Sequence, residues 1–213
     1  WLVSQCLPTV RQIDAGELLR CQDGWEFPLF AKPRFGSSSL GAQVVEDIHH
    51  LRQIVHAGEY IVQEIAKGRE YTVDVFVDRE GKCRCAVPRL RLETRGGEVT
   101  KGMTVRCHTI EALAKRVAEL LPGARGVMNI QMFYEPESDE VSIIEINPRF
   151  GGGYPLAHQA GAPMARWVIE DALGLPLSGI DQPWTDGMVM LRYDEAVFVN
   201  AKAAGISSPI LQA

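Results

Sequence analysis

The chain has 213 residues, 46% of them hydrophobic, and a formal net charge of −5. That is enough apolar material for a sizeable core in one domain or two lobes, and the acidic balance argues against a nucleic-acid binder, which would carry a basic excess. No apolar run reaches the roughly 18 residues a membrane span needs, no signal peptide is visible, and five cysteines without a disulfide-type spacing fit a reducing, cytoplasmic setting.

The first 20 residues read as the tail of one element, a turn at Pro8, and a short helix capped by Asp14 with Leu18 and Leu19 buried. Phe27 to Lys32 is a short strand and Ala42 to Val45 the next. The loop between them, Pro33 to Gly41, is PRFGSSSLG. Gly and Ser present many N–H and hydroxyl donors with little bulk, which suits an anion, and Lys32 adds a positive charge just before. An ordinary hairpin loop is the plainer reading. It is not a Walker P-loop, because no Gly-Lys-Ser/Thr ends it and a strand follows. Asp47 caps a helix with the stripe Ile48, Leu51, Ile54, Val55, ended by Gly58. His49, His50 and His56 read as its surface, since the His-Glu-x-x-His zinc pattern is absent.

Tyr60 to Ile65 is a strand, followed by a tight connector with Gly68. Tyr71, Val73, Val75 and Val77 alternate as a half-buried strand. A turn at residues 78–81 leads to Lys82 to Leu92, pairing back, with Arg89 and Arg91 on one face. Cys83 and Cys85 lack a second Cys or His pair for zinc. The Arg-, Lys- and Gly-rich segment that follows is expected to be a mobile loop carrying Arg95 and Lys101, either closing over phosphates or forming a solvated edge.

Thr109 to Leu121 is the clearest helix, capped by Thr109, with Glu111 favouring its N-terminal dipole. Two strands come next, Val127 to Tyr134 and the strand beginning at Val141. Centring the EPESDE turn on Ser138 puts Gln131 opposite Glu145 and Asn129 opposite Asn147, all on one face. Alternation sends Ile144 and Ile146 to the other side. Amide oxygens beside a carboxylate suit a hard divalent cation; a solvated hairpin face is the alternative. Arg149 and Gly151-Gly152-Gly153 follow, a backbone that a ligand can approach closely. Residues 155–160 form a helical turn, Pro163 to Leu173 a helix ended by Gly174, and a strand lies near Met188 to Tyr193.

In order, these signals are Lys32-Pro33, the Gly-Ser-Ser-Ser-x-Gly loop, Gln63-Glu64 with Gly68-x-Glu70, Gln131, and Glu145-x-Asn147-Pro-Arg149. The succession, over about residues 25 to 175, resembles the ATP-grasp superfamily. It is most similar to ATP-grasp domains of carbamoyl-phosphate synthase large-subunit type and to carboxylate–amine ligases. The resemblance implies an α+β fold in which two lobes, 1–62 and 63–213, hold ATP between mainly antiparallel sheets. It implies that Lys32 binds the α/β-phosphates and that Gly36, Ser37, Ser38, Ser39 and Gly41 cover the β/γ-phosphates. Gln63, Glu64, Ile65 and Ala66 border the adenine, Glu70 the ribose, and Arg91 joins the nucleotide contacts. Gln131, Glu145 and Asn147 hold Mg²⁺, with Mn²⁺ as a substitute. Arg149 and Lys101 are the catalytic candidates, acting on the transferred phosphate.

The partners expected on this basis are a small-molecule carboxylate and an amine, with neither nucleic acid nor membrane, and a homodimer is compatible. Two features depart from the family pattern. The Rossmann-like lobe and basic phosphate ligand that usually come first are not in a chain that opens at Trp1, and Gln131 stands where many relatives place an acid. Three functions stay open here: a carboxylate–amine ligase, bicarbonate phosphorylation of the carbamoyl-phosphate type, and a nucleotide-binding module without turnover.

Overall fold

The structure, a computed structural model, describes residues 1–36, 40–55, 59–195 and 198. Ser37, Ser38, Ser39, His56 and Gly58 lie outside the described residues, so the expectations placed on them are not addressed. The first half builds β1 (Gln12–Asp14), α1 (Ala15–Arg20), β2 (Leu29–Pro33), β3 (Gln43–Val45), α2 (Ile48–Val55) and β4 (Tyr60–Glu64). The strands form an antiparallel sheet in the order β1-β4-β2-β3. Each helix starts on an aspartate: Asp14 Oδ1 accepts from the Gly16 and Glu17 N–H groups, and Asp47 Oδ1 from the His50 N–H. One face of the sheet carries Leu29, Ala31, Val45 and Val62 and packs on Leu18 of α1 and Leu51 of α2, all fully buried or nearly so.

The remainder builds β5 (Arg69–Val77), β6 (Cys83–Arg95), β7 (Glu98–Thr104), α3 (His108–Leu120), β8 (Gly126–Glu135), β9 (Glu140–Asn147), α4 (Tyr154–Gln159), α5 (Met164–Ala172) and β10 (Val189–Leu191). Its six strands form an antiparallel sheet ordered β10-β7-β6-β5-β8-β9. One face is closed by α3 together with Leu2 and Leu7, around Tyr71, Val73, Val75, Ile130 and Ile143. The other face is divided along its length. Phe76, Val87 and Val127 lie under Ala157, Trp167 and Trp184, while Thr72, Asp74, Arg89 and Asn129 continue the same face as buried polar groups. The strand at Tyr71 to Val77 is therefore buried on both sides, not half-buried as its alternation suggests.

The chain crosses between the sheets twice, at residues 10–11 and at 65–68. The crossings run together: Arg11 O accepts from the Glu64 N–H (3.1 Å). Before the first crossing, Pro8 O accepts from the Ile143 N–H and Thr9 Oγ1 donates to Ile143 O, which seals the β9 edge of the large sheet.

Three local expectations are corrected. The expected mobile loop is a β-hairpin: β6 and β7 pair as far as Arg95 opposite Glu98, and Gly96 and Gly97 form the two-residue turn with φ of 57° and 80°. Left-handed φ at both positions makes the tight turn that matches strand twist, so the glycines close a hairpin rather than hinge a loop. Helix α3 starts at His108, and its N-cap is Cys107, whose N–H donates to Glu111 Oε1; the Thr109 hydroxyl donates instead to Asp139. Finally, Ile144 is the extra residue of a bulge between the Gln131–Glu145 and Met132–Ile143 pairs. Ile143 and Ile146 face the core, and Ile144 lines the cleft beside Glu145.

Candidate nucleotide and phosphoryl-transfer site

The uncovered faces of the two sheets meet around a cavity of about 840 Å³. On the small sheet, strand alternation hides Leu29, Ala31 and Val62 and leaves Phe30, Lys32, Ile61 and Gln63 facing the cavity. Pairing sets Lys32 opposite Ile61 and Phe30 opposite Gln63. Gln63 is held by a hydrogen bond from its Nε2 to Gln12 Oε1 (2.9 Å). The connector adds Glu64, Ile65 and Ala66 to the wall. Its shape is fixed at Gly68, whose φ is +87° and where a Cβ would overlap the backbone of Tyr134. Glycine is required there both by conformation and by space.

On the large sheet the wall is built across strands. Thr72 lies opposite both Arg89 and Gln131, Asp74 opposite Asn129, Gln131 opposite Glu145, and Asn129 opposite Asn147. The register at the metal-type pairs is the one expected, for a reason the sequence does not display. Nearer the turn, Met132 pairs with Ile143 and Glu135 with Glu140, and the bulge at Ile144 restores the expected alignment.

Lys32, Gly36, Gln63, Glu64, Ile65, Ala66, Glu70, Arg91, Gln131, Glu145 and Arg149 all line this one cavity. Gly41 does not line it, although Leu40 and Ala42 on either side do. Asn147 is one step behind the wall, its Nδ2 donating to Oδ1 of the cavity-lining Asn129 (3.3 Å). Lys101 is not brought to the site. It projects from β7 to Glu93, with Nζ 2.6 Å from Oε2, because it falls on the outward face of a strand rather than in a closing loop. Arg95 likewise pairs with Asp194.

The electrostatics link the two sheets. Burial lowers the Lys32 pKa, partly offset by the attraction of Glu145 across the cavity. Burial raises the Glu70 pKa against the pull of Arg91, with Glu145 pushing in the same direction as burial. Arg91 is clamped by Glu70 (2.9 Å) and donates to Gly97 O (2.8 Å), yet its Nε, buried, has no partner among the described residues. Arg149 is exposed at the mouth, and its carbonyl accepts from Asn129 Nδ2 (3.0 Å), which fixes the backbone entering the glycine run.

Side chains that sequence reasoning did not place in the site also line it. Arg89 is 1% exposed and forms a two-point bond to the fully buried Asp74, from Nε at 2.6 Å and Nη2 at 3.1 Å. Thr72, Asn129 and Glu98 add to the wall. The available signal was the alternation of Thr72 and Asp74 within an otherwise apolar strand.

A divalent cation fits the donor set. The cavity offers the Glu145 carboxylate and the Gln131 amide oxygen, both hard ligands, and no group of three His, Cys, Asp or Glu gathers among the described residues. A few protein oxygens completed by phosphate and water is the coordination Mg²⁺ favours.

Comparison with known proteins identifies the family and the fold. Residues 56–195, more than half of the chain, match the family described as ATP-grasp in the biosynthetic pathway with Ter operon. The C-terminal section of the carbamoyl phosphate synthase large chain from Methanopyrus kandleri is 27% identical, covering 93% of this chain and 40% of that protein. The large chain from Bifidobacterium animalis subsp. lactis is 27% identical, covering 83% of this chain and 17% of its own length. The chain thus spans less than half of either relative. The fold is shared with carboxyaminoimidazole ribonucleotide synthase from Aspergillus clavatus complexed with ATP, at TM-score 0.72 and 16% identity over 89% of this chain and 53% of that one. It is shared too with the biotin carboxylase domain of 2-oxoglutarate carboxylase from Hydrogenobacter thermophilus in complex with MgADP and bicarbonate, at TM-score 0.70 and 15% identity over 83% and 44%. With two antiparallel sheets facing one polar cavity and a family match that takes in β4 and the whole of the larger sheet, this chain belongs to the ATP-grasp family.

Proposed function

We propose that this chain carries the nucleotide site of an ATP- and Mg²⁺-dependent carboxylate–amine ligase. The observation that carries the reading is the convergence of Lys32 from one sheet with Gln131, Glu145 and Arg149 from the other on a single cavity. Phosphoryl transfer needs positioning and charge neutralisation more than covalent help from the protein. Lys32 steadies the α/β-phosphates; Glu64, Ile65 and Ala66 border the base, and Glu70 the ribose. Glu145 and Gln131, with Asn147 behind them, hold Mg²⁺, which when bound neutralises phosphate charge. Arg149 stabilises the transferring phosphoryl group. A carboxylate oxygen attacks the γ-phosphorus, the bond to the β,γ-bridging oxygen breaks, and ADP leaves. The deprotonated amine then attacks the acyl phosphate, the acyl–oxygen bond breaks, and inorganic phosphate departs with one proton released to solvent. Bicarbonate as the carboxylate is a second reading, favoured by the carbamoyl phosphate synthase relatives.

The test is ADP formation with ATP, Mg²⁺, pools of carboxylates including bicarbonate, and hydroxylamine as the amine. Carboxylate-stimulated ADP release with a matching hydroxamate is expected, and Glu145→Ala should abolish it. Turnover that no carboxylate stimulates, or that Glu145→Ala leaves intact, would overturn the proposal.

A further inference from the structure

Resting on the ligase reading, the geometry points to an α-amino acid, or an analogue with an ammonium group beside its carboxylate, as the acyl substrate, held by Arg89 and Glu98. These two side chains carry opposite charge and reach the same stretch of wall. A Cβ at Gly153 would overlap Arg89 Nη1, and a Cβ at Gly152 would overlap the Glu98 carboxylate. The two contacts are therefore one residue apart, about 3.8 Å along the backbone. Val99 also packs against Gly153.

Arg89 is a built anion point rather than a surface charge. It is 1% exposed, and Asp74 occupies its Nε and Nη2. Among the described residues Nη1 has no hydrogen-bond partner, and the buried side-chain nitrogen without one is Arg91 Nε, so a small part of Nη1 reaches the cavity that Arg89 lines, beside Gly153. One N–H₂ edge, on a guanidinium already neutralised by Asp74, matches a monoanion. The polyanionic phosphates belong with Lys32 and Arg149, and the Glu98 carboxylate would repel them from this end. The Glu98 carboxylate forms no hydrogen bond or ion pair among the described residues, and Arg89 pairs with Asp74 rather than with it. A cation from the ligand completes Glu98; a carboxylate completes Arg89.

Arg89 and Glu98 are thus specificity-determining residues. They hold the zwitterion so that one carboxylate oxygen faces the γ-phosphorus in the transfer described above, and the ammonium group takes no part in bond making.

The test is calorimetric titration of the full chain, loaded with MgADP, with the proteinogenic L-amino acids and with the N-acetyl and des-amino counterpart of each. At least one amino acid should bind, with both counterparts weaker by about tenfold or more, the loss of one charge-assisted contact. Glu98→Gln, at an exposed position, should erase the preference over the des-amino compound. Arg89→Lys should weaken both alike, and its melting curve checks folding; if that variant fails to fold, Glu98→Gln decides alone. Equal binding of the des-amino acids, no amino acid binding, or a preference that survives Glu98→Gln overturns the inference. Amino-acid selectivity without ADP formation would sink the ligase reading and the acyl-substrate role with it, leaving only amino-acid binding at Arg89 and Glu98. ADP formation driven equally by des-amino carboxylates would sink this inference and leave the ligase reading standing.

Discussion

Individual side chains in the cavity have separable jobs. The Arg149 side chain is exposed and, among the described residues, hydrogen-bonds only to its neighbour's carbonyl, from Nη1 to Phe150 O at 3.2 Å, so little folding energy depends on it. Arg149→Ala should lower kcat by about 10²-fold or more, with ATP affinity from equilibrium titration largely intact, as when a transition-state contact is lost. Lys32 carries a different signature. Burial depresses its pKa, so below the folded value both states hold the proton and the burial cost is fully present. Between the folded value and 10.5 the unfolded chain binds the proton more tightly, so stability rises with pH. Lys32→Met should therefore melt higher than the parent at pH 7, the gap closing toward pH 10.5, while ATP binding is lost. A gap independent of pH would mean that the gain comes from added apolar packing.

At the scale of elements, the glycines sort by what surrounds them. Gly68 and Gly81 both have left-handed φ, +87° and +79°, but a Cβ at Gly68 meets the Tyr134 backbone whereas one at Gly81 meets open space. Gly81→Ala should cost about 1–2 kcal/mol, the price of the conformation, and Gly68→Ala distinctly more in urea unfolding, because backbone must also move. Equal costs would show that the connector yields freely at Gly68. The hairpins explain what was legible in the sequence. Strand alternation and hairpin register put Gln131 and Glu145 on one face, while Lys32 stands out as a charge beside the Gly/Ser loop and Gln63 through the family resemblance. Alternation failed where the pattern itself departs from period two, at the Ile144 bulge, and where both faces are covered, so that Asp74 and Thr72 escaped notice. The β6–β7 hairpin was missed because charged residues obscured its alternation. Reading its glycine pair as a hinge also misplaced Lys101.

Across the whole molecule, the ordered motifs were enough to indicate two antiparallel sheets around a nucleotide cavity. The division of the large sheet's inner face into an apolar half under α4 and α5 and a polar half in the cavity was not. It depends on which positions four strands bring into line, and no single stretch of sequence records that. The paired crossings at residues 10–11 and 65–68 have a mechanical consequence. Two adjacent connectors tied by a hydrogen bond between Arg11 and Glu64 hold the sheets together at one edge of the cavity. The Lys32 sheet and the Glu145 sheet are thus joined along one line beside residues 64–66 of the cavity wall, and hydrogen exchange that is fastest in these crossings is the expected outcome if the sheets swing about it.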